Sequence, residues 1–115
     1  MNTLGKEGED IAAEFLKKKG LSIIRKNYRT VFGEIDIIAR DRDVIVFVEV
    51  KTRADNAFAH PFEAVNKKKR EKIRKVALCF MKGLKKEFPA RFDVLSITRD
   101  RGGTLIDHIK DAFEV

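Results

Sequence analysis

Hydrophobic residues recur at helical spacing in two stretches of the chain. The first predicts a helix over residues 5–19 that ends at Gly20, with hydrophobic positions at Ile11, Ala12, Phe15 and Leu16. The second predicts a longer helix over residues 63–87, which Pro89 prevents from continuing. Its hydrophobic positions are Ile73, Val76, Ala77, Phe80, Met81 and Leu84. Both helices are therefore expected to pack one face against a core.

Five shorter hydrophobic segments have the character of strands, over residues 21–27, 32–40, 44–51, 91–99 and 104–110. The second and third should form an antiparallel hairpin around residues 41–43, and the last two should turn at residues 100–103. Residues 52–61 show neither the helical nor the strand period and are expected to form an exposed, mobile loop. The resulting order α-β-β-β-α-β-β predicts an α/β fold with a mixed five-stranded sheet flanked by helices.

The length of 115 residues suits one domain over residues 1–115. No hydrophobic run approaches the roughly 20 residues that span a bilayer. The N-terminus also lacks the hydrophobic segment of a signal peptide, so a cytoplasmic protein is expected. Cys79 is the only cysteine, which excludes an intramolecular disulfide framework and a zinc cluster built from CxxC motifs.

The net charge of +7 favours a polyanionic partner, either nucleic acid or an anionic membrane surface. Most of this charge comes from the polar face of the second predicted helix. Its densest part is Lys67, Lys68, Lys69 and Arg70, which we predict as phosphate-binding positions; a merely solvated helix face is the alternative. Arg53 either holds a phosphate near the third strand or is solvated in the following loop.

Charged residues interrupt the hydrophobic strands of the central hairpin at Asp36, Glu49 and Lys51. Because side chains alternate along a strand, Glu49 and Lys51 should share one face, as should Glu34 and Asp36. A hairpin that closes symmetrically on Arg42 and Asp43 would place Asp36 opposite Glu49, and Glu34 opposite Lys51. A bulge or a loop of odd length would shift this register.

Two carboxylates that face each other on a half-buried sheet repel, so stability alone does not account for Asp36 and Glu49. A divalent cation removes the conflict, since Mg²⁺ is commonly held by one or two carboxylates, with the Val50 carbonyl as a further ligand here. Lys51 could then position or deprotonate a water, or neutralise charge on a phosphate. The alternative is a structural ion-pair cluster. Glu34 is either a further member of this site or the salt-bridge partner of Lys51.

The first predicted helix supplies one more acidic residue to the same region. Around the helix, Glu7, Asp10 and Glu14 point away from the hydrophobic stripe, whereas Glu9 lies at its edge. Glu9 is thus a candidate site residue, with a solvated acid at the helix start as the alternative. No role is assigned to His60 and His108, which lack metal-ligand spacing.

An Asp on one strand followed by Glu-x-Lys on the next resembles the signature of the PD-(D/E)XK nuclease superfamily, with Asp36 and then Glu49-Val50-Lys51 in this chain. The wider pattern, GEIDIIA followed by VFVEVKTR and RFDV, resembles the YraN-like family, which is similar to archaeal Holliday junction resolvases. This resemblance implies a restriction-endonuclease-like fold and an endonuclease dependent on Mg²⁺ or Mn²⁺. It also implies DNA as the substrate, branched DNA included, and a homodimer that cuts two strands.

The resemblance places Glu9, Asp36 and Glu49 as metal ligands and Lys51 as the catalytic lysine. The expected function is therefore metal-dependent hydrolysis of phosphodiester bonds in DNA. A non-catalytic nucleic-acid-binding module with the same fold is the main alternative, and an RNA-processing or ribosome-associated factor is a third. Phe58 and Phe62 could stack on a base, although packing in the core suits them better.

Overall fold

The computed structural model describes residues 3–54, 66–100 and 102–113. These contain the elements α1 (Thr3–Lys18), β1 (Ser22–Thr30), β2 (Gly33–Asp41), β3 (Val44–Ala54), α2 (Lys67–Lys82), β4 (Ala90–Asp100) and β5 (Gly103–Phe113). The predicted order of helices and strands is confirmed.

The strands form one five-stranded sheet in the order β1-β2-β3-β4-β5. Strands β3 and β4 are parallel, because the chain returns through α2 between them, and the other neighbours are antiparallel. The predicted mixed sheet is therefore confirmed. Strand β3 lies at its centre, paired on both edges.

Each helix covers a different face of the sheet. On one face, Ala12, Ala13 and Leu16 of α1 pack in a core with Leu21, Ile37, Ala39, Val46, Val48, Leu95 and Ile97. On the other face, Ile73, Val76 and Ala77 of α2 pack in a core with Ile35, Ile38, Ile45, Phe47, Phe92, Val94 and Phe113. Since β3 contributes to both cores, a charged side chain on it is surrounded by hydrophobic residues unless it lies near the strand end.

The predicted loop over residues 52–61 is wrong at its start. Strand β3 continues through Thr52 and Arg53, which pair with Ile97 and Thr98 of the parallel strand β4. The backbone groups of this polar segment therefore form hydrogen bonds with β4. Such long-range pairing is not indicated by local composition. The strand ends at Ala54. Residues 55–61 of that predicted loop, with Phe58 and His60, lie outside the described residues, as does Phe62.

Helix α2 is shorter than predicted at its C-terminal end. It stops at Lys82 rather than near residue 87, and the N–H of the capping residue Gly83 donates to the carbonyls of Phe80 and Met81. The hydrophobic period continues to Leu84 because the chain after the helix still packs on the same core. At the other end Asn66 caps the helix; residues 63–65 of the prediction lie outside the described part of the chain.

Like β3, strands β1 and β5 run three residues past the ends that the sequence pattern predicts. Strand β1 continues beyond Asn27 to Thr30, and β5 continues beyond Lys110 to Phe113. In both cases one residue near the predicted end has a positive φ, Asn27 at 53° and Asp111 at 52°. Such a residue interrupts the alternation of side chains, although the strand resumes after it.

Candidate active site where the pairing of β2 and β3 ends

The β2–β3 hairpin has the predicted turn and register. Arg42 and Asp43 form the turn, and the paired residues run from Asp41 with Val44 to Ile37 with Val48. The next residues in this register are Asp36 and Glu49, where the backbone ladder stops. Instead, the Asp36 carboxylate oxygen Oδ2 accepts a hydrogen bond from the Val50 N–H at 2.8 Å. This hydrogen bond holds the carboxylate beside Val50, in the half of β3 that no longer pairs with β2.

The alternation of side chains in β2 changes at Asp36. Ile35 belongs to the core under α2, whereas Ile37 belongs to the core under α1. The facing residue of β1 is Asn27, whose φ of 53° produces a matching irregularity in that strand. The predicted shared face of Glu34 and Asp36 assumed strict alternation, from which Ile35 and Ile37 depart, and the charge of Glu34 acts on Asp36.

Glu34 forms a different ion pair from the one considered in the sequence. Its carboxylate Oε2 lies 3.1 Å from Nε of Arg29 on β1, and Lys51 pairs instead with Glu49. The expected pair of Glu34 with Lys51 is wrong, because β1 and β2 remain paired through Arg29 and Glu34 after β3 has separated from β2.

Glu49 and Lys51 share the face of β3 that turns toward α2, as alternation predicts. Phe47, two residues earlier, belongs to the core under α2, and Val48 and Val50 pack on the α1 side. Glu49 is 8% exposed, and its Oε1 lies 3.5 Å from Lys51 Nζ. The structure therefore brings Asp36, Glu49 and Lys51 together where the pairing of β2 and β3 ends.

A second lysine reaches this carboxylate from the first turn of α2. Lys69 Nζ lies 2.7 Å from Glu49 Oε1, closer than Lys51 does. Sequence reasoning grouped Lys69 with the outward phosphate-binding positions and missed this role. The signal was present, since Lys69 precedes Ile73 by one helical turn and Val76 by two and thus lies on the buried side of the helix.

The Asp36 carboxyl group has an unusual proton affinity. Burial, repulsion by Glu49 and the more distant charges of Glu9 and Glu34 raise the pKa of Asp36 to about 7, against the opposing hydrogen bond from the Val50 N–H. When no cation is bound, the raised pKa keeps Asp36 protonated to a higher pH than an ordinary aspartate. A raised carboxyl pKa next to a second carboxylate is typical of functional sites.

The two lysines are shifted in opposite directions. Burial and the neighbouring Lys69 lower the pKa of Lys51, against the attraction of Glu49. Burial is the largest single effect on Lys69 and disfavours its charged form. The hydrogen bonds to Glu49 and Lys51 and the charges of Glu49 and Asp36 together outweigh burial and raise the pKa of Lys69. Lys69 is thus the main counter-ion of Glu49, and Lys51 is the lysine that gives up its proton more readily.

Glu9 approaches the site from α1, as its helical position predicts. It is half-buried, whereas Glu7, Asp10 and Glu14 are exposed. The preceding Gly8 is buried against β3, where an added Cβ would overlap Thr52 Oγ1. This close approach of helix and strand brings Glu9 within electrostatic range of Asp36.

The donor set suits a hard divalent cation. Asp36 and Glu49 provide carboxylate oxygens in a site where their repulsion is only partly compensated, and Mg²⁺ is often bound by one or two carboxylates with waters and phosphate oxygens. Within residues 3–54, 66–100 and 102–113, no three acidic, histidine or cysteine side chains lie close enough to hold a metal ion. The predicted three-carboxylate set with Glu9 is thus not assembled in this structure.

The predicted phosphate-binding residues divide into two groups. Lys67 and Lys68 are exposed on the first turn of α2. Arg53 and Arg70 are half-buried, and the Nε atom of each is buried without a hydrogen-bond partner among the residues described. Arg53 and Arg70 therefore retain donor capacity beside the site.

A buried polar network on β4 and β5 was not predicted. The Asp93 carboxylate lies 2.7 Å from His108 Nε2 and 3.0 Å from Arg91 Nε, and it also accepts the Asp111 N–H. Although burial alone would raise the pKa of Asp93, these partners lower it. Both carboxylate oxygens of Asp93 accept hydrogen bonds from residues of the sheet, so this network holds β5 on β4.

Comparison with known proteins places the chain in a family. The model of the uncharacterised protein family UPF0102 matches residues 8–97. The chain belongs to the UPF0102 family. The matched range includes every described residue of the candidate site, so the YraN-like part of the resemblance is confirmed.

Members of the UPF0102 family from several bacteria resemble the chain over nearly its whole length. A UPF0102 protein of Thermodesulfovibrio yellowstonii is 49% identical over 110 residues, covering 96% of this chain and 95% of its own. One from Syntrophomonas wolfei is 43% identical over 111 residues, covering 96% of each. A third, from Dictyoglomus thermophilum, is 41% identical over 105 residues, covering 90% of this chain and 89% of its own.

Proposed function

We propose that this UPF0102 protein is a metal-dependent endonuclease of the PD-(D/E)XK type that hydrolyses phosphodiester bonds in DNA. The observation that carries the proposal is the convergence of Asp36, Glu49 and Lys51 at the end of the β2–β3 pairing. The raised pKa of Asp36 supports it, because a purely structural ion-pair cluster would not keep two carboxylates in mutual repulsion.

Asp36 and Glu49 would hold Mg²⁺ or Mn²⁺, with Glu9 nearby on α1. When bound, the cation supplies a Lewis acid for the phosphate and lowers the pKa of a water molecule. Lys51 can accept a proton from that water in its neutral form, which its lowered pKa makes accessible. In its protonated form it stabilises negative charge on the phosphate instead.

Four basic residues would bind the nucleic-acid backbone beside this site. Lys67 and Lys68 offer exposed ammonium groups, and Arg53 and Arg70 lie half-buried next to them. Binding through these residues would be electrostatic and insensitive to base sequence, which suits the net charge of +7.

The test is a cleavage assay on single-stranded, duplex and four-way-junction DNA with Mg²⁺, Mn²⁺ or a chelator. We expect metal-dependent cleavage that falls by at least about 100-fold in Asp36→Asn and in Glu49→Gln. Asp43→Asn is the matched control, since this carboxylate lies in the turn of the same hairpin and is 87% exposed. Cleavage that survives in the Asp36 and Glu49 variants would refute the assignment.

One observation favours a second function, that of a non-catalytic nucleic-acid-binding module. Both Lys51 and Lys69 approach the same oxygen of Glu49, so the charge of this carboxylate is compensated without a metal. In that case the wild-type protein would bind DNA equally well with the chelator and would cleave none of the three substrates.

A further inference from the structure

Two lysines compete for one oxygen of the candidate site. Glu49 Oε1 lies 2.7 Å from Lys69 Nζ and 3.5 Å from Lys51 Nζ. The Glu49 side chain is only 10% exposed, and the ammonium of Lys69 is within hydrogen-bonding distance of its Oε1. A divalent cation that binds through this oxygen meets the positive charge of both ammonium groups at close range, and this repulsion is relieved when one of them moves away.

Of the two lysines, Lys69 is the one whose side chain can move away from Glu49. Its side chain is 36% exposed, compared with 25% for Lys51, and it extends from a helix rather than from the strand that carries Glu49. Its backbone is fixed, because the Lys69 N–H donates to Asn66 Oδ1 at 2.9 Å. The flexible side chain can therefore swing toward solvent while the helix remains in place.

We propose that Lys69 is the resident counter-ion of Glu49, which a divalent cation must displace, and that Lys69 thereby sets the cation affinity of the site. The inference rests on the proposed function, because it assumes that Asp36 and Glu49 hold the metal. Without metal, Lys69 compensates the charge of Glu49. With metal bound, its attraction to Glu49 is lost, and this loss is subtracted from the binding free energy of the cation.

The same argument predicts the effect of removing the ammonium group. In Lys69→Met the side chain keeps its length but no longer occupies Glu49 Oε1, so a divalent cation meets a carboxylate that only Lys51 partly neutralises. Removal of any nearby positive charge would also raise the affinity for a cation, because long-range repulsion decreases. The experiment has to separate this general effect from direct competition at Glu49.

The test is a calorimetric titration of Mn²⁺ into the wild-type protein, Lys69→Met and Lys68→Met. Lys68 is the matched control, because it carries the same charge one residue away but is exposed. We expect the Kd for Mn²⁺ to fall by about tenfold in Lys69→Met and by less than about twofold in Lys68→Met. Circular dichroism verifies folding, and Lys69→Gln replaces the methionine variant should that one not fold.

The outcomes separate this inference from the proposed function. If the wild-type protein binds Mn²⁺ and the Kd of Lys69→Met is unchanged or higher, the counter-ion role is overturned and the metal site is retained. An equal gain in both lysine variants also overturns it, since only net charge would then matter. Absence of Mn²⁺ binding in all three proteins overturns the metal site and, with it, the counter-ion role.

Discussion

Asp36 illustrates how a single residue can be held in an energetically unfavourable state. Its carboxylate accepts the Val50 N–H, which keeps it in position, while burial and Glu49 oppose its ionisation. The hydrogen bond does not outweigh the two opposing effects, so folding favours the protonated acid. Ionisation of Asp36 is unfavourable only in the folded state, so it should affect the pH dependence of the free energy of unfolding.

Stability measured in a chelator should therefore decrease as the pH rises from about 4 to about 7 and change little above that range. The sign follows because the folded state binds more protons than the unfolded state between the unfolded pKa, 3.8, and the folded pKa, about 7. Asp36→Asn should lack this decrease. Urea unfolding of both proteins across the pH range gives the comparison, and parallel curves would contradict the raised pKa.

Helix α2 joins the core, the candidate site and the basic surface in one element. Its inner side packs Ile73, Val76 and Ala77 against the sheet, and its first turn directs Lys69 to Glu49. The helix has no acidic residue in that turn, so its N-terminus is stabilised chiefly by the Asn66 side chain. The position of Lys69 consequently depends on this cap.

Asn66→Ala should lower the free energy of unfolding by about 1 kcal/mol, because the Lys69 N–H loses its acceptor. Asn66→Asp should retain or exceed wild-type stability, since aspartate also accepts this hydrogen bond and adds a negative charge beside the helix N-terminus. Chemical denaturation measures both changes. A loss of similar size in the aspartate variant would show that the cap is not the cause.

At the scale of the whole molecule, charge is distributed unevenly over a regular three-layer fold. The exposed side of α2 carries lysines along its length, among them Lys68, Lys72 and Lys75, while Asp36 is half-buried and Glu49 buried where the pairing of β2 and β3 ends. Neither of the two described helices is both long and hydrophobic enough to cross a membrane. A polyanion that approached the basic surface of α2 would come close to Glu49.

The proposed binding of DNA should therefore weaken steeply with salt. Each phosphate contact contributes about 0.9 to the slope of log K against log salt concentration, so Lys67→Met and Lys68→Met should each reduce the slope by about that amount. Lys110→Met is the control, because this exposed lysine lies on β5. Fluorescence anisotropy with a labelled duplex measures the slopes, and equal reductions in all three variants would argue against a surface centred on α2.

Local pattern was sufficient for the elements of the fold and for much of the site. Helical and strand periods predicted α1, α2 and five strands in the correct order, and the two-residue turn at Arg42 and Asp43 led to the correct register of β2 and β3. Alternation along β3 placed Glu49 and Lys51 on one face, and helical spacing selected Glu9 as the inward acid. These properties depend on residues close in sequence, whose geometry is repetitive.

Only the tertiary structure decided how separate elements meet at the site. The ion pair of Lys69 with Glu49 requires α2 to pack over β3. Asp36 accepts the Val50 N–H because β2 and β3 separate at this point. The continuation of β3 through Arg53 depends on pairing with β4. Each of these features depends on packing between residues that are distant in sequence, which the period of a single segment does not encode. The shifted pKa values likewise depend on burial by other elements.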